Sequence, residues 1–257
     1  MADLLEISHL TKQFGGLAAV NDVSFNVPEY GIVGLIGPNG AGKTTIFNLI
    51  TGVYSTTAGS IVFQGNNIVG MEPYKIAGRG ITRTFQNIRL FKNLTVFENV
   101  LTACHRSAEY TLFESAFRLP RFYREEKKLN EKAEDLLSIM GLSEWHDLEA
   151  DNLPYGLQRR LEIVRALALD PTLLLLDEPA AGMNPDETEQ LMALIARLRD
   201  EFKLTILVIE HHMDLIMGIC EKIVVLNFGV MLAEGSADVV ANDPRVIEAY
   251  LGKTEES

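Results

Sequence analysis

Residues 37–44 decide the fold, and they read Gly37-Pro38-Asn39-Gly40-Ala41-Gly42-Lys43-Thr44. This stretch fits the pattern G-x-x-x-x-G-K-[ST] of a phosphate-binding loop, which requires a strand before it and a helix after it. Both are predicted, because residues 32–36 form an apolar run typical of a strand buried on both faces, and residues 44–51 have a helical pattern. In such a loop the glycines let backbone N–H groups converge on phosphates, Lys43 reaches the β- and γ-phosphates, and Thr44 binds Mg²⁺. The predicted nucleotide site comprises this stretch and Thr45.

A second motif predicts hydrolysis of the bound nucleotide. The apolar run 173–176 ends in Asp177 and Glu178, which Pro179 follows. In a parallel sheet the carboxyl end of a buried strand opens onto the ligand crevice. We therefore expect Asp177 to hold Mg²⁺, usually through water, and Glu178 to polarise the attacking water. The alternative interpretation is that the two acids cap a helix.

The order of elements predicts an α/β fold with a mainly parallel sheet flanked by helices. Strands are expected at 173–176 and 204–209, between helices at 157–169, 185–202 and 213–220, and a hairpin at 223–226 and 230–233, with a short helix from 243 onward. Strands at 4–10 and 22–27, with turns around them, predict an antiparallel β layer before the main sheet. Between these regions the β signals fade and apolar residues recur at helical spacing, which predicts a helical subdomain over about 87–165 inserted in a single domain, 1–257.

The net charge, the cysteine spacing and the apolar runs of the chain exclude several classes of function. The formal net charge of −12 leaves no broad basic surface, so an extended nucleic-acid footprint is not expected. Cys104 and Cys220 have neither disulfide-framework nor zinc-site spacing, which predicts two reduced, semi-buried thiols. The first residues carry acids where a signal peptide carries Lys or Arg, and the longest apolar runs are strand-sized. We expect a cytoplasmic protein whose membrane attachment comes through a partner.

Three further residues resemble those of the ABC ATPase family, in that family's order along nearly the whole chain. Gln86, within Thr-Phe-Gln-Asn, resembles the Q-loop glutamine that senses the γ-phosphate and Mg²⁺, and would be a third metal ligand beside Thr44 and Asp177. His211 resembles the switch histidine that contacts the γ-phosphate, and Phe14 resembles the aromatic residue that stacks on adenine. The resemblance implies a P-loop NTPase fold of the ABC type and an Mg²⁺-dependent ATPase in which Glu178, His211 and Lys43 are catalytic.

Two segments depart from the usual family pattern. The signature loop, usually Leu-Ser-Gly-Gly-Gln, reads Leu153-Pro154-Tyr155-Gly156-Leu157, so Pro154 replaces the serine and removes both its hydroxyl and a backbone N–H. Asn184 stands where the D-loop usually has Asp. In the family these loops complete the site of the opposite subunit, so the residues expected to act in trans are Pro154, Tyr155, Gly156, Leu157 and Asn184.

A narrower resemblance rests on the segments 83–91, 153–163 and 243–252 and is to one ATPase subunit of the branched-chain amino-acid importers. It implies ATP and Mg²⁺ as cofactors, a second ABC ATPase subunit, two transmembrane permeases and, indirectly, a soluble substrate-binding receptor. The chain would then lie on the cytoplasmic face of the cell membrane. The alternatives are the ATPase of a urea or amide importer, the ATPase of a lipid or lipopolysaccharide exporter, a soluble ABC ATPase acting on DNA or ribosomes, and a regulatory binding module.

Overall fold

The computed structural model describes residues 2–251, which form two compact units. The larger unit contains the residues up to Arg83 and from Thr172 onward, and the helical unit contains residues 84–171. Met1 and residues 252–257, which include Gly252 and the end of the C-terminal segment discussed above, lie outside the described part.

Ten strands and ten α-helices account for most of the described chain. In chain order they are β1 (Asp3–Phe14), β2 (Leu17–Pro28), β3 (Ile32–Ile36), α1 (Lys43–Ile50), β4 (Ala58–Phe63), β5 (Asn66–Asn67), α2 (Pro73–Gly78), β6 (Ile81–Arg83), α3 (Val96–Cys104), α4 (Leu112–Ala116), α5 (Pro120–Ile139), α6 (Tyr155–Leu167), β7 (Leu173–Asp177), α7 (Pro185–Phe202), β8 (Thr205–Ile209), α8 (Met213–Ile219), β9 (Lys222–Asn227), β10 (Val230–Gly235), α9 (Ala237–Ala241) and α10 (Pro244–Leu251).

The larger unit contains two sheets, as the sequence predicts. One is antiparallel, with strand order β2-β1-β4-β5, and the other has the order β10-β9-β3-β8-β7-β6. In the second sheet β6, β7, β8, β3 and β9 are parallel, and only β10 pairs antiparallel with its neighbour. The predicted mainly parallel sheet with a separate antiparallel layer is therefore confirmed.

The apolar core of the larger unit lies between these sheets. Alternate residues of the parallel strands contribute to it, including Val33 and Leu35 of β3, because successive side chains of a strand point to opposite faces. Phe47 of α1 and Phe25 of β2 belong to the same core. All five residues in each of β3, β7 and β8 are buried, and burying one large aliphatic side chain contributes about 1.5–3 kcal/mol. The strands that lead to the predicted site are thus buried along their whole length.

The named elements of residues 84–171 are all helical. Helix α3 packs against α5 and α6. The positions at helical spacing along α5 and just after it are buried, as their spacing indicates: Leu129, Ala133, Leu136, Leu137 and Met140. Among the described residues, no helix combines the length and the apolar character that crossing a bilayer requires.

Candidate active site

The phosphate loop follows β3 and ends at the first turn of α1. Gly37 and Gly42 have φ angles of 150° and 102°. A Cβ atom on Gly37 would lie 2.2 Å from the carbonyl oxygen of Leu226, and one on Gly42 would lie 2.6 Å from that of Ala19. Neither position therefore accommodates a side chain, and no side chain caps the N-terminus of α1, which the loop enters. This is the cradle that the phosphates of a nucleotide require.

Lys43 is buried at the base of the loop. Its Nζ donates hydrogen bonds to the carbonyl oxygens of Gly37, at 2.7 Å, and Pro38, at 3.1 Å. Burial lowers the pKa of Lys43, while the nearby carboxylates of Glu178 and Asp177 act in the opposite direction. The ammonium group is thus held inside the loop by two neutral acceptors. Phosphate oxygens can replace them, because charged acceptors form stronger hydrogen bonds.

Asp177 ends β7 and forms a buried ion pair with Arg83, the last residue of β6. Arg83 Nη2 lies 2.6 Å from Asp177 Oδ2, and the two side chains are 8% and 2% exposed. Arg83 Nη1 donates to Oδ1 of Asn48 on α1, also at 2.6 Å, and the guanidinium lies over the Phe47 ring. One guanidinium therefore joins the helix that follows the phosphate loop to the expected metal ligand.

Glu178 and His211 are brought together by the neighbouring strands β7 and β8. His211 Nε2 lies 2.6 Å from Glu178 Oε1. Glu178 has a φ angle of 48°, and its N–H donates to the carbonyl oxygen of Ile209 at 2.8 Å. Left-handed backbone at a non-glycine residue is strained and is concentrated at functional sites. The carboxylate is therefore held in a fixed position beside an imidazole, as an acid–base pair needs.

Glu210 organises this pair, and sequence reasoning missed it. The side chain is 1% exposed. Its Oε1 accepts from the N–H of Ala180 at 2.7 Å, and its Oε2 accepts from those of His211, at 2.7 Å, and His212, at 3.2 Å. A buried carboxylate saturated by backbone donors fixes two loops at once. The only sequence signal is an acid directly after an apolar strand.

Phe14 lies at the end of β1, next to the β1–β2 turn, and its side chain is 43% exposed. The ring meets Tyr54 edge to face, with centroids 5.2 Å apart, and Lys12 Nζ lies 4.8 Å from its centre. An exposed aromatic ring with a nearby cation fits the stacking role expected of it.

The C-terminal helix α10 reaches the phosphate loop. Burial raises the pKa of Tyr250 to about 12, and the nearby Gly37 backbone acts in the opposite direction. A cavity of about 500 Å³ lies between α10 and the loop, lined among others by Pro38, Asn39 and Glu248. No local signal in the sequence predicts that α10 lies beside the loop.

In the helical unit, Gln86 lies in an irregular segment before α3, and the signature residues begin α6. Pro154 is the N-cap residue of α6, and no side chain caps this helix, which agrees with the loss of a serine at this position. Tyr155 is 44% exposed. The N-terminus of α6 is therefore open to a ligand or a partner.

Asn184 has a local role in the larger unit. It is the N-cap residue of α7, where its Oδ1 accepts from the N–H of Glu187 at 2.9 Å, and Glu187 Oε2 accepts from the N–H of Asn184 at 3.0 Å. This capping box engages the Asn184 side chain at the start of α7. Its expected contact across a subunit interface stays a prediction.

Comparison with known proteins decides the family. Residues 20–181 match the family described as ABC transporter, and residues 230–256 match the family described as branched-chain amino acid ATP-binding cassette transporter. The chain belongs to the ABC transporter ATPases. This ABC ATPase is 49% identical to the high-affinity branched-chain amino acid transport ATP-binding protein BraF of Pseudomonas aeruginosa, over 97% of its own length and 98% of the relative's.

Other relatives and solved structures agree with this assignment. The ABC ATPase is 47% identical to the high-affinity branched-chain amino acid transport ATP-binding protein LivG of Escherichia coli K12, over 97% of its own length and 98% of LivG. It superposes on MJ1267, an ATP-binding cassette of an ABC transporter, with a TM-score of 0.86 and 32% identity, covering 98% of the chain and 100% of MJ1267. The predicted ABC-type fold and the predicted ATPase class are therefore confirmed.

Proposed function

We propose that this ABC ATPase powers a membrane importer of branched-chain amino acids. The observation that carries the proposal is the identity of 47–49% with two such transport subunits, BraF and LivG, over nearly the full length of each. The separate match of residues 230–256 to the branched-chain subfamily supports it. In this role the chain lies on the cytoplasmic face of the membrane and is attached through permease subunits.

The larger unit would bind ATP and carry out the chemistry. The phosphate loop, residues 37–44 and Thr45 hold the phosphates, and the exposed ring of Phe14 stacks on adenine. Glu178 orients the attacking water, and its hydrogen bond to His211 keeps the carboxylate pointed at that water. Lys43 leaves its carbonyl partners to stabilise the charge that develops on the γ-phosphoryl group.

The donor set also fits Mg²⁺, a hard cation that takes oxygen ligands. Thr44 is exposed at the first turn of α1, and Asp177 presents a buried carboxylate held through one oxygen by Arg83. Gln86, the third expected ligand, belongs to the helical unit. When bound, Mg²⁺ would neutralise charge on the β- and γ-phosphates.

A groove on the helical unit is the proposed permease-docking surface. It has a volume of about 260 Å³ and is lined by residues of the Gln86 segment and of α6, among them Gln86, Ile88, Leu90 and Tyr155. Amide groups next to aliphatic and aromatic side chains suit an amphipathic helix laid into a groove. A permease helix seated here would contact Gln86 and the start of α6 together.

A second ABC ATPase subunit would face the nucleotide through its own signature loop. In return, this chain would offer residues 154–157 and Asn184 to the partner's nucleotide. Pro154 has no N–H to donate, so the helix N-terminus at Tyr155 and Gly156 is left to cap the partner's phosphate.

Affinity purification of the tagged chain from membranes of its native cells tests the assembly. We expect two permease-like proteins, a second ATPase and, after gentle cross-linking, a soluble receptor, all in fixed ratio. Recovery of lipid-export components, ribosomal proteins or nucleic acid would refute the importer and leave the ATPase standing. A Lys127→Ala chain, changed on an exposed face of α5 away from the proposed docking groove, should capture the same proteins.

A further inference from the structure

Two charged side chains on α6 are buried together in the helical unit. Arg159 and Glu162, one helical turn apart, are 2% and 5% exposed, and Arg159 Nη1 lies 3.0 Å from Glu162 Oε2. Charges are seldom buried this completely, because desolvation costs several kcal/mol per ion unless additional hydrogen bonds compensate. The additional bonds therefore show what the pair does.

Those bonds go to the backbone of the segment that carries Gln86. Arg159 Nη1 donates to the carbonyl oxygen of Phe85 at 2.6 Å, and Nη2 donates to that of Gln86 itself. Glu162 Oε1 accepts from the N–H groups of Phe85, at 3.2 Å, and Arg89, at 3.4 Å. The pair therefore hydrogen-bonds to the peptide groups on both sides of Gln86.

The segment that the pair holds lacks regular secondary structure, and its last residue, Phe91, is also hydrogen-bonded through its backbone to the side chain of Asn99 on α3. Residues 84–91 are in neither a helix nor a strand, so no ladder of backbone hydrogen bonds fixes them. A second arginine of α6, Arg165, donates to the carbonyl oxygen of Arg89. Buried backbone groups need partners, and here charged side chains of one helix supply them.

We infer that Arg159 and Glu162 are positioning residues that lock the Gln86 segment onto the signature helix α6, so that both move as one body. The inference rests on the nucleotide-sensing role proposed for Gln86. Because α6 starts at the signature loop, a displacement of Gln86 would carry the loop offered to the opposite subunit with it. The docking groove has walls from both parts, so a permease helix would push on this locked body.

A purely structural pair would stabilise the helical unit and leave catalysis unaffected, and the test separates the two roles. The Arg159→Met/Glu162→Met chain replaces the pair by apolar side chains of similar length, a change that buried ion pairs often tolerate. The matched control is Lys132→Met, which removes an ion pair with Asp170 elsewhere in the same unit. Thermal unfolding first establishes that both chains are folded.

Three readouts follow on the full-length chain, alone or with its co-purified membrane partners. Amide hydrogen exchange over residues 84–91 is expected to rise in the double variant and not in Lys132→Met. The affinity for ATP is expected to stay within about two-fold of wild type, since the phosphate loop is unchanged. In contrast, kcat should fall at least about ten-fold, because displacing a catalytic group by about 1 Å slows the reaction strongly. KM is expected to change far less than kcat.

Two results would overturn the inference. Unchanged exchange over residues 84–91 would show that the pair does not hold the segment. Faster exchange with unchanged kcat would show that holding the segment has no catalytic consequence. If the double variant does not fold, the same two readouts are measured on Arg159→Lys, which keeps the positive charge but has fewer hydrogen-bond donors. No transported solute enters this test, so failure of the branched-chain proposal would leave its result intact.

Discussion

Replacing Arg83 by methionine should destabilise the larger unit strongly, although the sequence assigns Arg83 no catalytic or binding role. The substitution keeps most of the aliphatic stem and removes the guanidinium from Asp177 and Asn48. Asp177 is 2% exposed, so its carboxylate has little access to water that could replace the lost cation. The variant therefore retains a buried carboxylate that has lost its ion pair with Arg83.

The magnitude follows from the type of contact. Removing one partner of a buried ion pair costs about 3–5 kcal/mol, which is a large part of the stability of a typical domain. Asn48→Ala removes only the acceptor at the other end of the guanidinium, and its expected cost is about 1–3 kcal/mol. Arg83→Met/Asp177→Asn leaves no buried ion at this position, so it should lose less stability than Arg83→Met alone.

Urea unfolding followed by circular dichroism measures all four chains, with the denaturation midpoint and slope compared between them. The expected order of stability is wild type, then Asn48→Ala, then Arg83→Met, with the double variant above Arg83→Met. An Arg83→Met chain within about 1 kcal/mol of wild type would refute the reasoning, because a surface pair contributes that little. A double variant less stable than Arg83→Met would refute it equally.

Three other predictions concern the catalytic pair, the phosphate loop and the thiols. Glu178→Gln should bind ATP with wild-type affinity and lose at least about 100-fold in turnover, measured by phosphate release; full activity would remove Glu178 from the mechanism. Gly42→Ala should lose about 1–3 kcal/mol of stability and most ATP affinity in calorimetric assays, because φ is 102° and the new methyl group meets a backbone carbonyl. The control Gly16→Ala, which has open space, should behave as wild type, and equal losses in both would contradict the steric argument. Burial raises the pKa of both thiols, that of Cys220 to about 12. Iodoacetamide at pH 8 should therefore label Cys104 and Cys220 only after unfolding. Labelling of the native chain, detected by mass spectrometry, would contradict their burial.

The parts of the fold that the sequence predicts well are those whose signal is local. The phosphate loop is recognisable from eight consecutive residues, and α1, β7 and β8 begin and end within one residue of their predicted bounds. Helix α7 matches its predicted range, 185–202, because Pro185 marks its first turn. The strand β1 continues to Phe14, beyond its predicted end at residue 10, since its pairing with β2 extends to the turn irrespective of apolar alternation.

The parts that the sequence does not predict are contacts between distant charged residues. Arg83 and Asp177 are 94 positions apart, and Phe85 and Arg159 are 74 positions apart. Helical spacing places Arg159 on the same face as Ile163 and Ala166, but it does not tell which distant backbone groups a buried arginine contacts. The capping box of Asn184 is different: the spacing to Glu187 carries a local signal that could have been recognised.

Uptake of labelled leucine into proteoliposomes that contain the chain, its co-purified permeases and the second ATPase tests directly whether the chain powers import of branched-chain amino acids. ATP is supplied on the side of the membrane that carries the ATPase subunits, and the receptor is added on the opposite side. We expect leucine uptake to need both ATP and receptor, and leucine-loaded receptor to raise ATP turnover. Neither effect should occur in a complex carrying Glu178→Gln. Uptake that persists with Glu178→Gln, or a complex that moves urea or lipid and not leucine, would contradict this proposal.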